Sequence, residues 1–148
     1  MIKFLHMFGV ILFLGNIIIS ALWRLSAEQD KGFSLKRALS LLVLTDWVFT
    51  LPGVILIGVT GHMLAPKFGG IAANPWIYHS YAMLTVSAVI WLAGLLPIQI
   101  KQRKLLEADE KANESPKFKK LTLIWTILAC LATLLPLIAL YMMVSRPV

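Results

Sequence analysis

Asp46 is the one charged residue inside a long apolar run of this chain, the stretch Leu39 to His62. Burying an acid in hydrocarbon costs at least ~2.5–3.5 kcal/mol, so Asp46 must face protein or water and have polar partners. Such an acid either ties helices together by hydrogen bonds or carries protons and ligands. Three histidines, His6, His62 and His79, form the second candidate set. Neutral imidazole ligates haem iron and zinc, copper or nickel. The single cysteine, Cys130, has no intramolecular disulfide partner and reads as a small core residue.

These side chains need elements to position them, and composition says which. The 148 residues are 59% hydrophobic and 14% charged, with a mean hydropathy of +0.81. Soluble domains carry roughly 25% charged residues, so the chain belongs with membrane proteins. Four runs, about 4–23, 39–63, 76–100 and 121–144, approach or exceed the ~20 residues that cross a hydrocarbon core. The expectation is an all-α, polytopic membrane protein, a single four-helix transmembrane bundle over 1–148. The first run is too long for a secretory h-region and no small-residue cleavage site follows it, so it reads as a retained helix. The net charge of +7 does not indicate nucleic acid, because the basic residues fall between apolar runs, where lipid headgroups meet them.

Lys and Arg set the orientation. Arg24, Lys31, Lys36 and Arg37 lie in the first connection. Lys101, Arg103, Lys104, Lys111, Lys117, Lys119 and Lys120 lie in the third, and only Lys67 in the second. The positive-inside bias puts connections one and three in the cytoplasm and both termini outside, in a bacterial inner membrane. Trp23 and Trp76 fall at interfaces, and Ser115-Pro116 reads as an N-cap followed by a proline in the first helical position. The mixed-charge segment Lys101 to Glu114 reads as a solvated extension of the third helix.

At 100° per residue, His6, Gly9, Phe13, Asn16, Ser20 and Arg24 share one stripe of the first helix. Asp46, Thr50, Gly53, Thr60 and Gly61 share one on the second, with Pro52 expected to bend the helix. On the fourth, Thr122, Thr126, Cys130, Thr133 and Tyr141 share one, with Pro136 at its edge. Counted at 1.5 Å per residue from the basic ends, Asn16, Asp46 and Thr126 lie at similar depth. Asp46 is therefore expected to hydrogen-bond Asn16, Thr126 or both, as a packing lock or as a proton relay.

The histidines all fall at the opposite, outer end. His6 lies on the inward stripe and His79 flanks the Ser80-Ser87-Gly94 side of the third helix, so His6 and His79 form the candidate ligand pair. That pair suits a haem b or a transition metal between two helices, with Phe13 as a wall and Lys3 or Lys67 near the propionates. Electron transfer with a quinone is the reaction class this implies. The alternative is a non-enzymatic membrane subunit or small transporter built around Asp46 and a membrane-protein partner.

The segments Lys3-Phe4-Leu5-His6 with Gly9, Thr45-Asp46-Trp47-Val48-Phe49-Thr50-Leu51-Pro52, Thr60-Gly61, Pro75-Trp76, Pro97 to Arg103 and Met143-Val144-Ser145-Arg146-Pro147 resemble a bacterial family of predicted integral membrane proteins of unknown function. The resemblance covers nearly the whole chain and implies a four-helix membrane bundle. More distantly, Leu5-His6-x-x-Gly9 is similar to the first helix of the membrane-type protoporphyrinogen oxidase and copper-resistance-D-like group, which implies a haem or metal role for His6. That group's lysine in a later helix has no counterpart here, since no lysine lies inside a span.

Overall fold

The computed structural model describes residues 1–29 and 34–145. Lys31 of the first connection and the terminal Arg146-Pro147 lie outside them. Four long helices account for almost all of the described chain, and no strand occurs among the described residues. They are α1 (Ile2–Gln29), α2 (Leu35–Phe68), α3 (Pro75–Ala108) and α4 (Pro116–Ser145), each long and apolar enough to cross a membrane.

Local chemistry starts and stops them. Ser34 caps α2 by accepting from the Arg37 amide, and Ser115 caps α4 by accepting from the Phe118 amide ahead of Pro116. Gly69 and Gly70 turn the chain after α2 with positive φ angles of 89° and 99°, which favours glycine at both positions. Asn74 then bonds back to the carbonyls of Phe68 and Gly70 before Pro75 opens α3.

The bundle is two tight hairpins. In the first, α1 crosses α2 where Gly9 faces Gly53. A Cβ on Gly53 would stand 3.0 Å from the Phe13 backbone nitrogen and 3.1 Å from the Gly9 carbonyl oxygen, so the backbones touch there. In the second, α3 lies along α4, and two serines sew them together. Ser80 donates to the Ala139 carbonyl at 3.3 Å and Ser87 to the Ala132 carbonyl at 2.7 Å. The hairpins join through α2 and α3 at the end bearing Arg24, where Leu39, Leu42, Leu106 and Phe118 form an apolar cluster. At the His6 end they part. A 34-residue helix runs ~51 Å, well beyond the ~30 Å hydrocarbon thickness, so α2 and α3 continue the bundle past the lipid core. This is why Gln102 and Leu106 are buried, where the sequence suggested a solvated extension.

Both central helices widen into a π-turn ahead of a Leu-Pro pair. In Asp46–Thr50 the Leu51 amide bonds back to the Asp46 carbonyl, and in Trp91–Leu95 the Leu96 amide bonds to the Trp91 carbonyl. Pro52 and Pro97 have no N–H, so the α ladder cannot continue through either site. The wide turn absorbs the missing bond and re-aims the residue that opens it. Those residues are Asp46 and Trp91, and both point into the bundle.

Candidate functional site

The polar interior is a column. Asp46 Oδ1 accepts from Thr50 Oγ1 at 2.9 Å, one turn along α2, and from Asn16 Nδ2 of α1 at 3.3 Å. Asn16 Nδ2 also donates to Thr50 Oγ1 at 2.8 Å. With the Gln99 amide oriented to satisfy both its ends, its Nε2 donates to Asp46 Oδ2 at 3.1 Å and its Oε1 accepts from Trp125 Nε1 at 3.2 Å. Trp125 is also the floor for Arg24, whose guanidinium carbon lies 3.9 Å from the ring centroid. Arg24 is 1% exposed and pairs with Glu28 at 3.1 Å, and its Nη2 donates to Gln102 Oε1 at 3.0 Å and Thr122 Oγ1 at 3.4 Å. Gln102 Nε2 closes the set by donating to Thr122 Oγ1 at 2.9 Å. Every side chain bonded to the Asp46 carboxylate is a neutral donor, which suits an oxygen pair that only accepts.

Asn16 and Asp46 meet as the depth argument expects, but Thr126 does not join them. It is exposed and donates to its own helix, to the Thr122 carbonyl at 2.9 Å. A helical threonine can satisfy its hydroxyl on the carbonyl one turn back, and so needs no inward partner. The inward face of α4 is instead the seven-residue seam Phe118, Trp125, Ala132 and Ala139, with Pro136. Cys130 and Tyr141 are exposed rather than in the core. The depth estimate places α4 well, but the face lies 100° round, at Trp125. Gln99 and Trp125 are the partners that sequence reading misses. The signal for Gln99 was an uncharged amide two residues after Pro97 inside the third apolar run.

At the other end lies an apolar pocket of about 300 Å³ between the parted hairpins. Its walls include Phe13, Leu84, Trp76 and Pro136, with Lys3, His6 and Ser80 as polar members. Gly61 makes room for the imidazole, since a Cβ there would stand 3.3 Å from His6 Cε1. His6 Nδ1 lies 3.0 Å from Thr60 Oγ1. The Thr60 hydroxyl gives its proton to the Leu56 carbonyl, so it accepts from His6. With the proton on Nδ1, the Nε2 lone pair is left for a ligand.

His79 is not brought to His6. It is exposed, and its Nδ1 bonds the Pro75 carbonyl at 2.6 Å while its ring stacks edge-on with Tyr78. A histidine in the first turns of a helix can satisfy itself on its own backbone, and Ser80, one residue on, takes the inward position. His62 is also exposed. Lys3 lines the pocket as expected for a group near its mouth, whereas Lys67 does not. Among the described residues no three His, Cys, Asp or Glu side chains converge as a metal site. The lining thus offers a metal one imidazole, that of His6, beside the thioethers of Met7 and Met143.

The chain matches no curated protein and no solved structure. A family described as "Predicted integral membrane protein (DUF2269)" matches it over residues 1–147. Four apolar helices of spanning length with a polar interior agree with that description, and the chain belongs to this family of integral membrane proteins.

Proposed function

We propose that this protein is a membrane-embedded binding site for a small amphiphile whose head donates a hydrogen bond, an isoprenoid quinol being the chemistry that fits best. The observation that carries the reading is the apolar pocket with His6 held by Thr60 in the tautomer that offers a bare Nε2. Helix α1 lines it from Lys3 to Phe13, ten residues or ~15 Å, a depth suited to a short length of isoprenoid tail. The walls are almost wholly hydrocarbon and the polar groups few, as in ligand sites that fix orientation with one or two bonds. In the orientation that the Lys and Arg distribution predicts, the pocket faces the outer leaflet.

The test is a titration of the detergent-purified protein with a short-tail quinol, read by quenching of tryptophan fluorescence, since Trp76 lines the pocket. His6→Ala should weaken binding about tenfold, the value of one bond to a buried ring nitrogen. Binding that is equal in wild type and His6→Ala would sink the reading.

In a second reading His6 Nε2 would be the atom that holds a haem b or a transition ion. It is favoured by the Thr60 bond to the far ring nitrogen, the arrangement that orients metal-ligating histidines. The likeness of Leu5-His6-x-x-Gly9 to the oxidase and copper-resistance-D-like group points the same way. Haem would bring one-electron exchange with the quinol. His79 is exposed and bonded to the Pro75 carbonyl, so a His6–His79 pair would not hold the group. A Soret band in the purified protein, lost in His6→Ala, is the expected result of this second reading.

A further inference from the structure

We propose that Asp46 is a proton-exchange site, reached through water from the Arg24 end and sealed from the His6 pocket by Phe13. The inference does not depend on what the pocket binds.

A second cavity, of about 60 Å³, lies against Asp46. One water needs only ~10–15 Å³ of such space, with two to four polar partners. The lining supplies them. Among the described residues Ser20 Oγ is a buried polar atom without a protein partner, and Trp91 Nε1 has only the Asp46 carboxylate beside it, outside ordinary hydrogen-bond geometry; both residues line this cavity with Asp46 and Gln99. Trp91 opens the second π-turn, so an irregular turn directs this donor toward the carboxylate. One turn beyond Ser20 on the same face of α1, ~6 Å along the axis, Arg24 carries a second unmet donor at Nη1. Glu28, at the head of the column, is partly exposed. A lock made only for packing would need neither the cavity nor the unmet donors of Ser20 and Arg24.

The other direction is closed. Phe13 is 2% exposed and, among the described residues, is the one side chain that lines both cavities. The Gly9–Gly53 crossing clamps its backbone. The groups facing Asp46 from α3 and α4 are neutral, namely Trp91, Gln99 and Trp125. Among the described residues the one cation built into the column is Arg24 on α1, and it is paired with Glu28. A proton taken up by the carboxylate is therefore not blocked by a direct ion pair.

The test uses the full chain in proteoliposomes, with a potassium gradient and valinomycin driving proton entry and an internal pH dye reporting it. Phe13→Ala removes the seal and should raise proton flux about tenfold, equivalent to lowering the barrier by ~1.4 kcal/mol. Phe13→Ala combined with Asp46→Asn should return flux to the wild-type level. Flux in Phe13→Ala no higher than wild type, or equally high in the double variant, overturns the proposal. Should Phe13→Ala fail to elute as a folded species, infrared difference spectra of the wild-type protein decide. A carboxyl band that follows pH and is lost in Asp46→Asn supports the site, and no such band overturns it.

Discussion

Asp46 shows what a single side chain must do to be tolerated inside a membrane. Its two oxygens accept from three helices at once, through Asn16 of α1, Thr50 of α2 and Gln99 of α3. Asp46→Leu keeps much of the volume and strands those donors, so it should cost about 2–4 kcal/mol in mild detergent. Asp46→Asn retains one acceptor but sets an NH2 against donors, for about 1–2 kcal/mol. Thermal unfolding followed by circular dichroism checks both. The two threonines one turn apart on α4 make a sharper contrast. Thr122→Val removes the acceptor shared by Arg24 and Gln102 and should cost about 1–2 kcal/mol. Thr126→Val removes only a bond to its own helix and should stay within ~0.5 kcal/mol. Equal losses at the two positions would place the inward face of α4 wrongly.

The helices were legible in the sequence to different degrees, for physical reasons. Length and hydropathy announce the spans, since nothing else in a 148-residue chain explains four such runs. The inward stripes of α1 and α2 were legible because they carry glycine, asparagine, arginine and aspartate, residues that lipid rejects outright. The face of α4 was not. Threonine, cysteine and tyrosine are acceptable to lipid once their hydroxyls are met locally, so polarity misleads there and the alanine–tryptophan seam carries the contact. Pro52 was readable as a disturbance, but that its π-turn and the one before Pro97 line one cavity depends on how α2 meets α3, which no single span encodes. The Gly9–Gly53 crossing is the contact on which the first hairpin turns. Gly53→Ala would drive a Cβ to 3.0 Å from the Phe13 backbone, where backbone rather than a flexible tip must yield. A loss of about 1–3 kcal/mol is expected, while Gly58→Ala, with nothing within 4 Å of the added carbon, should be neutral or slightly stabilising. The comparison of the two alanine variants in one melt separates crossing strain from a general effect of glycine on helix stability.

At the scale of the whole molecule the two ends differ in kind. The Arg24 end is knit by an apolar cluster and a hydrogen-bonded column, whereas at the His6 end the hairpins part around an apolar pocket. Which compartment each end meets decides where a pocket ligand enters and from which side protons reach Asp46. The charge distribution gives a definite expectation, because the connections at the Arg24 end hold nearly all the lysine and arginine, and the turn after α2 holds only Lys67. A membrane that retains positive loops in the cytoplasm would place the Arg24 end inside. In a Cys130→Ser background, which removes the one native and exposed thiol, Ala72→Cys reports the turn after α2 and Lys111→Cys the connection before α4. Both positions are exposed. A charged, membrane-impermeant maleimide should label Ala72→Cys in intact cells stripped of their outer barrier, and Lys111→Cys only in inverted vesicles. The reverse pattern would turn the His6 pocket toward the cytoplasm and make the water beside Asp46 continuous with the outside. Proton exchange would then draw on the acidic side of an energised membrane, and the pocket would have to take its amphiphile from the inner leaflet.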